Sequence, residues 1–410
     1  MAVAAYLKEI MNSPDSSAIR RMFEEGAALK RAYGDEAVFD FSLGNPDVPP
    51  PQRVLDTIRR IGGENPCGVH GYMANAGLPA AREAAAKKVS REQQTAVPAG
   101  CAVMTAGAAS ALNCVCKAIL SSGDEVIVPA PFFSEYRHYV HNFGGVLVPV
   151  MGKREDGFSL NIDGIAAVLN EKTAAVLINS PNNPTGRIYT AAEIQALAQV
   201  LEAHGKKTGR FAYLICDEPY RAIVYGGNTV PAVFPLYKNS IVVSSFAKDI
   251  SLAGERIGYI AVSPDCEDAA ELAAACVFAL RTLGFVNANA FFQRVIAECW
   301  DCAVDAGQYE RRGRLLMGVL DRVGIDYVRP QGAFYLFCAA PPRGENDAGD
   351  SRAFTEHLKK HLILCAPGDG FGCPGWFRMS YCVSERAIVQ CEAALCEAVR
   401  SWRAGDMGES

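Results

Sequence analysis

The sequence predicts an α/β protein, with a large domain built on a mostly parallel seven-stranded sheet between helices and a smaller α/β domain formed by the two ends of the chain. Three observations carry this prediction. Stretches of strand character alternate with stretches of helix character through most of the chain, the pattern of a parallel sheet with helical crossovers rather than of separate α and β blocks. Seven short runs are almost continuously apolar, as strands become when helices cover both faces of a sheet. The chain has 410 residues, beyond the size at which a single core usually stops growing, so two domains are expected.

Taken in order, the first 35 residues read as one amphipathic helix with Ile19, Met22, Phe23 and Leu29 on a face, followed by a proline-rich turn from Pro46 to Pro51. The candidate strands are 101–105 (CAVMT), 125–128 (EVIV), 145–149 (GVLVP), 174–179 (AAVLIN), 212–216 (AYLIC), 241–245 (IVVSS) and 257–262 (IGYIAV). Between them lie helix-like stretches at 108–120, 190–204 and 267–281, the second opened by Thr190 and Glu193 in the spacing of a capping box. From about residue 290 a long helical region precedes short strands near 326–338 and 377–382. The expected division is therefore residues 46–289 for the large domain, with 1–45 and 290–410 forming the small one. No internal repeat or low-complexity segment interrupts it.

Composition narrows the possible partners. Forty Lys and Arg against 45 Asp and Glu give a net charge of −5, and no Lys/Arg-rich run stands out, so neither nucleic acid nor a membrane surface is expected. Half the residues are hydrophobic and 21% are charged, an ordinary balance for a soluble globular protein. Lys8 and Glu9 interrupt the N-terminus before a signal-peptide core develops, and the longest apolar run, Leu272 to Leu280, is too short to span a bilayer. Fifteen scattered cysteines, odd in number and without His-rich spacing, fit a reduced, cytoplasmic protein with small buried thiols. Cys114 and Cys116, on opposite sides of an expected helix, and Cys299 and Cys302 in CWDC are the two close pairs. Neither is followed by a second metal-binding half or a redox βαβ context, so both read as structural and no metal is expected.

The strongest local signal is SSFAKDISLAGERIG, in which Lys248 follows a buried strand and Arg256 lies eight residues later. A lone lysine after a strand means little. An amine, the Ser245 hydroxyl and the Arg256 guanidinium could, however, converge on one phosphate-bearing aldehyde: the amine as nucleophile, the guanidinium as a planar fork for phosphate, the hydroxyl as a short donor. At this segment the chain resembles the fold-type I aminotransferases of class I/II, aspartate aminotransferase-like bacterial members in particular, whose cofactor lysine lies in S-x-[SA]-K-x5-G-x-R-x-G. The motif is complete, with Ala247 where many members have a second Ser, and the resemblance runs over nearly the whole chain.

The resemblance implies pyridoxal 5'-phosphate (PLP) held by Lys248 as a Schiff base in the large domain. INSPNNPTG reads by itself as a turn, and the resemblance assigns its Asn183 to the cofactor's 3-oxygen and the substrate carboxylate. LICDEPY ends a strand with Asp217, at the edge where α/β proteins place ligands. A carboxylate there would keep the ring nitrogen protonated, and Tyr220 would bond the 3-oxygen. In MTAGAASALN the start of a helix can bind phosphate, and the resemblance makes Gly107, Ala108 and Ala109 backbone donors. In PAPFFSEY, where Phe132, Phe133 and Tyr136 are core residues by default, it selects Phe133 for stacking on the ring. Tyr72, in HGYMANAG, is implied to reach the phosphate of a neighbouring subunit, which makes a homodimer with shared active sites the expected assembly.

For substrate, Arg378 in FRMSYC matches the position that binds the α-carboxylate, where a bidentate fork suits. Without the resemblance it reads equally as a half-buried ion pair. Arg281 is a weaker candidate for a side-chain carboxylate, and Gly44, Asn45 and Phe334 are expected at the substrate mouth. The implied reaction moves an amino group from an L-amino acid to a 2-oxo acid, with 2-oxoglutarate a reasonable acceptor and Lys248, once freed, the general base. The donor stays open. A PLP-dependent C–S β-lyase is the nearest alternative, because the same constellation supports elimination; a non-catalytic PLP-binding regulator with an attached DNA-binding domain is a distant one, since only one helix is expected before the motif region near Gly44 and the charge balance is acidic.

Overall fold

The computed structural model describes residues 3–12, 18–64, 66–343 and 349–405. The apolar runs become β1 (Ala102–Thr105), β2 (Glu125–Ala130), β3 (Val146–Met151), β4 (Thr173–Asn179), β5 (Tyr213–Asp217), β6 (Ser240–Ser245) and β7 (Gly258–Val262). They form one sheet in the spatial order β1-β7-β6-β5-β4-β2-β3. Strands β2 to β6 pair in parallel, while β7 is antiparallel to both β1 and β6. The expected seven-stranded, mostly parallel sheet is therefore present, with each run correct to within two residues at its ends.

Both faces of the sheet are covered, which is why its central strands read as unbroken apolar runs. Along β4, Val176 and Ile178 pack on one layer with Leu197 and Leu201 of the helix Ala191–Thr208. Ala175 and Leu177 face the other, with Leu112 and Val115 of the helix Ala108–Ile119 and Leu272 and Cys276 of the helix Ala269–Thr282. Thr190 and Glu193 form the expected capping box, each side chain bonding the other's backbone N–H. That helix runs past 204 and stops at Gly209, whose φ of 78° lies in the left-handed region that glycine enters without strain. Cys114 and Cys116, expected on opposite sides of their helix, both lie in the layer between sheet and neighbouring helix.

A second cluster is built on an antiparallel sheet of β8 (Tyr327–Val328), β9 (Tyr335–Ala339), β10 (Ala366–Pro367) and β11 (Trp376–Ser380), ordered β10-β11-β9-β8. The helices Ala306–Val323, Ser351–Lys360 and Glu385–Arg403 pack on it. Phe39–Asp40 pairs in parallel with Ile363–Leu364, and the N–H of Ser380 bonds the carbonyl of Phe41, tying the N-terminal segment to this body. The helix Ala290–Cys299 lies beyond the expected division at 289/290, yet Val295, Ile296 and Cys299 belong to the core of the large body.

At the N-terminus one helix over the first 35 residues was expected. The described residues form two helical segments, Ala5–Asn12 and Ala18–Tyr33, with 13–17 outside the described residues. Met22 is buried beside Val38 and Leu364 with Leu29 packed against them; the side chains of Ile19 and Phe23 lie outside the described residues. All fifteen cysteines are free, and the Cys299 thiol donates to the Thr57 hydroxyl at 3.4 Å. No described helix is long and apolar enough to cross a membrane.

Candidate active site

The carboxyl ends of the parallel strands meet the second body, and there a cleft of about 280 Å³ opens. Strand direction explains its composition, because each β-to-α connection leaves the same edge of the sheet. β4 delivers Asn179 and, beyond it, Asn183; β5 ends on Asp217 with Tyr220 in the following turn; β6 ends on Ser245, and the short helical turn Phe246–Asp249 carries Lys248. After β1, Gly107 starts the helix Ala108–Ile119, bringing Ala108 and Ala109 to the wall. The second body adds Tyr335 from β9 and Arg378 from β11, and the N-terminal segment adds Leu43 and Gly44.

The amine of Lys248 donates to the carbonyl of Gly44 at 2.8 Å and stands 5.3 Å over the ring of Phe334. No carboxylate among the described residues pairs with it. Burial, together with the cationic Arg378 and Arg256 nearby, lowers its pKa to about 8. An amine so placed is partly unprotonated near neutral pH, the state in which it is both nucleophile and base.

Asp217 is buried, and one of its oxygens accepts from the Tyr136 hydroxyl at 2.5 Å. The other oxygen is buried with no hydrogen-bond partner among the described residues. Burial raises its pKa to about 7, despite the Tyr136 hydrogen bond. A carboxylate with an open, dry acceptor on the cleft side is suited to a ligand N–H. The Tyr220 hydroxyl lies 2.9 Å from that of Tyr335, and burial lifts its pKa well above the ordinary value.

Arg378 is buried and stays fixed by two acceptors, Asn183 Oδ1 at 2.9 Å and the Ser42 carbonyl at 2.6 Å. Its guanidinium lies 4.5 Å from the ring centre of Tyr335 and 4.9 Å from that of Phe371, and its Nε has no partner among the described residues. Burial lowers its pKa. A buried cation held by neutral groups alone is suited to pairing with an anion. Across the cleft, Arg256 holds a left-handed backbone with φ of 53° and donates to the carbonyls of Ala253 and Ala106. A Cβ on Gly107, itself at φ 87°, would lie 2.8 Å from that guanidinium. The helix start and the arginine thus leave a space that only glycine keeps open.

Of the residues singled out from sequence, Gly44, Ala108, Ala109, Phe133, Asn183, Asp217, Tyr220, Ser245, Lys248, Arg256 and Arg378 line this one cleft, with Gly107 at its edge. Two do not. Tyr72 is 96% exposed and away from the cleft of its own chain, and Arg281 is exposed at the end of its helix, 5.1 Å from Phe278. Asn45 is exposed outside the cleft, and Phe334 is fully buried beneath the Lys248 amine, so the expected mouth position falls to its neighbour Tyr335. Sequence reasoning also passed over Tyr136, Tyr139 and Asn179. PAPFFSEY had marked Tyr136 only as a core aromatic; nothing local shows that its hydroxyl reaches Asp217, 81 residues on. A larger cleft, about 680 Å³ between Arg187, Tyr225, Arg329 and Trp376, holds none of these groups. Convergent chemistry, rather than size, marks the site.

The comparisons with known proteins agree with this geometry. The model of the aminotransferase class I and II family matches residues 36–393. The chain is 33% identical over 372 residues to a probable aspartate/prephenate aminotransferase of Aquifex aeolicus, covering 88% of this chain and 90% of that one. It is 31% identical to the aspartate aminotransferase of Geobacillus stearothermophilus, over 91% and 93% of the two chains. Among solved structures, an amino transferase from Eubacterium rectale superposes with a TM-score of 0.91 at 39% identity, over 98% of this chain and 99% of that one. The aspartate aminotransferase of Thermus thermophilus with maleate superposes at 0.84 and 27% identity, over 97% and 100%. With the sheet, the lysine after β6 and the match across the whole length in agreement, the chain belongs to the class I and II aminotransferases and is a transaminase.

Proposed function

We propose that this transaminase holds PLP in the cleft described above and moves an amino group from an L-amino acid to a 2-oxo acid, with 2-oxoglutarate as acceptor. The observation that carries the reading is an open Asp217 oxygen together with a Lys248 amine that no carboxylate among the described residues pairs, both lining one cleft. Fit to the cofactor is supported at three further places. Gly107 and the helix start after it, with Arg256 and Ser245, suit a phosphate dianion. Tyr220 and Asn183 suit a ring oxygen, and Phe133 offers a ring edge-on to Tyr136 at 5.6 Å. When bound, the cofactor supplies a protonated ring that takes up the electron pair left as a substrate C–H bond breaks.

The residues of the chain do the rest. Arg378, already fixed by Asn183 and Ser42, binds the substrate α-carboxylate. This orients the substrate so that its Cα hydrogen faces Lys248 Nζ, which accepts the proton. Asp217 keeps the ring nitrogen protonated through its open oxygen. Tyr335, stacked on Arg378 and bonded to Tyr220, fills the space above Gly44, where any Cβ would collide with its hydroxyl. Tyr72 is offered to the phosphate site of a second copy, in a cytoplasmic homodimer, and its 96% exposure supports that role.

Reduction of the PLP-loaded protein with borohydride should fix the cofactor on the peptide containing Lys248, and a label on another lysine, or none, overturns the assignment. Release of oxo acid from an amino donor without ammonia is expected; pyruvate and ammonia from a cysteine conjugate would instead make it a C–S lyase.

A further inference from the structure

Three residues of the cleft are each followed in the chain by a buried charge: Asp217 by Glu218, Tyr220 by Arg221 and Lys248 by Asp249. Those charges meet behind the cleft, on the helix Pro79–Gln93. Lys88, 3% exposed, pairs with Asp249 at 2.9 Å and with Glu92 at 2.7 Å. Arg221 pairs with Glu218 at 2.9 Å and donates to the carbonyl of Glu92 at 2.7 Å. Gln93 closes the set, donating to Glu218 at 3.1 Å and accepting from the N–H of Val233 at 2.7 Å.

Stability alone gives no reason for this many charges in the core, because a buried ion pair is about neutral against apolar residues of the same shape. What such contacts supply is position: opposite charges 2.7–2.9 Å apart in a dry interior hold the backbone that carries them in one place. Lys248 needs holding. Its turn, Phe246–Asp249, is a single short helical segment, and its amine is kept inside by one neutral carbonyl although water would solvate it better. We propose that Lys88, Asp249, Glu218 and Arg221 are positioning residues, which clamp the turn carrying Lys248 and the turn that follows Asp217 at the end of β5 to the helix Pro79–Gln93 and so fix where the Lys248 amine stands. The inference rests on the assignment of Lys248 and Asp217 to the reaction.

Competitive acetylation of the cofactor-free chain, read by mass spectrometry on the Lys248 peptide, measures the titration midpoint of that amine. The native chain should titrate near 8. In Lys88→Met, compared while folded, the midpoint should climb by about one unit or more toward the ordinary lysine value of about 10.4. The PLP-loaded variant should lose about tenfold or more in kcat, with KM changed by less than about threefold. Lys88→Arg should restore both. A folded Lys88→Met whose Lys248 still titrates near 8 would overturn the proposal, and if that variant does not fold, Asp249→Asn decides it by the same midpoint. A native midpoint near that of free lysine, or no borohydride label at Lys248, would instead bring down the underlying assignment.

Discussion

Two lysines meet at the turn Phe246–Asp249, Lys88 packed behind it and Lys248 within it, and their surroundings make opposite use of the same side chain. On the helix side Lys88 is buried against Asp249 and Glu92, which outweigh the penalty of burial and hold its pKa above the ordinary lysine value. On the cleft side Lys248 is half-buried against a carbonyl, a phenyl ring and two arginines, and its pKa falls to about 8. The difference teaches that what makes a buried lysine reactive is desolvation without a countercharge. Given carboxylates, the group becomes a permanent cation and a structural pin.

The comparison can be broken most sharply by removing each amine in turn. Lys248→Met should lower transamination by more than about 10³-fold, since on the proposed function it removes nucleophile and general base together; a steady-state assay with PLP in excess that retained a tenth of the activity would refute the assignment. Lys88→Met should destabilise the fold by about 3–5 kcal/mol, the usual result of leaving buried carboxylates unpaired, which urea unfolding of the cofactor-free protein would measure.

The third test reverses the sign of the second. Lys248 has a folded pKa below its unfolded value, so in the unfolded chain it binds protons more readily between about pH 8 and 10.4. Below pH 8 both states are protonated and the folded state carries the whole penalty. Lys248→Met should therefore stabilise the cofactor-free protein at pH 7, on the order of 1–3 kcal/mol, with water in the cleft reducing the gain. The gain should fade as pH rises from 8 toward 10.4; one that grew instead would mean that Lys248 has a hidden anionic partner. The fourth test is Arg378→Lys, which keeps the charge and loses the fork: kcat/KM should drop by about 10- to 100-fold, while the Lys248 midpoint in the acetylation experiment moves by less than half of what Lys88→Met produces.

The same contrast separates what could be read from the chain and what could not. Lys248, Arg256 and Ser245 lie within one short segment, so their joint chemistry was legible as a motif, and Asp217 was legible as an acid at a strand's end. Lys88 carried no signal. It lies on a helix with alanines at most of its buried positions, and its partner Asp249 is distant in the chain, so neither spacing nor local composition connects them. Tyr136 and Tyr335 were invisible for the same reason: an aromatic is core by default, and only a long-range contact turns a hydroxyl toward Asp217 or Tyr220. Phe334 and Tyr335 are adjacent aromatics where the turn enters β9, and the sequence does not say which of the two rings faces the cleft.

The sequence by itself determined the seven strands, their order along the chain and the lysine-bearing turn, because these rest on short-range patterns: apolar runs, a capping box and one motif. Tertiary structure alone decided which tyrosine hydroxyls reach Asp217 and Tyr220, where the helix Ala290–Cys299 packs and which of the two lysines has carboxylate partners. The physical reason is that protonation and reactivity depend on charges a few ångströms away in space, and residues that close are often distant in the chain.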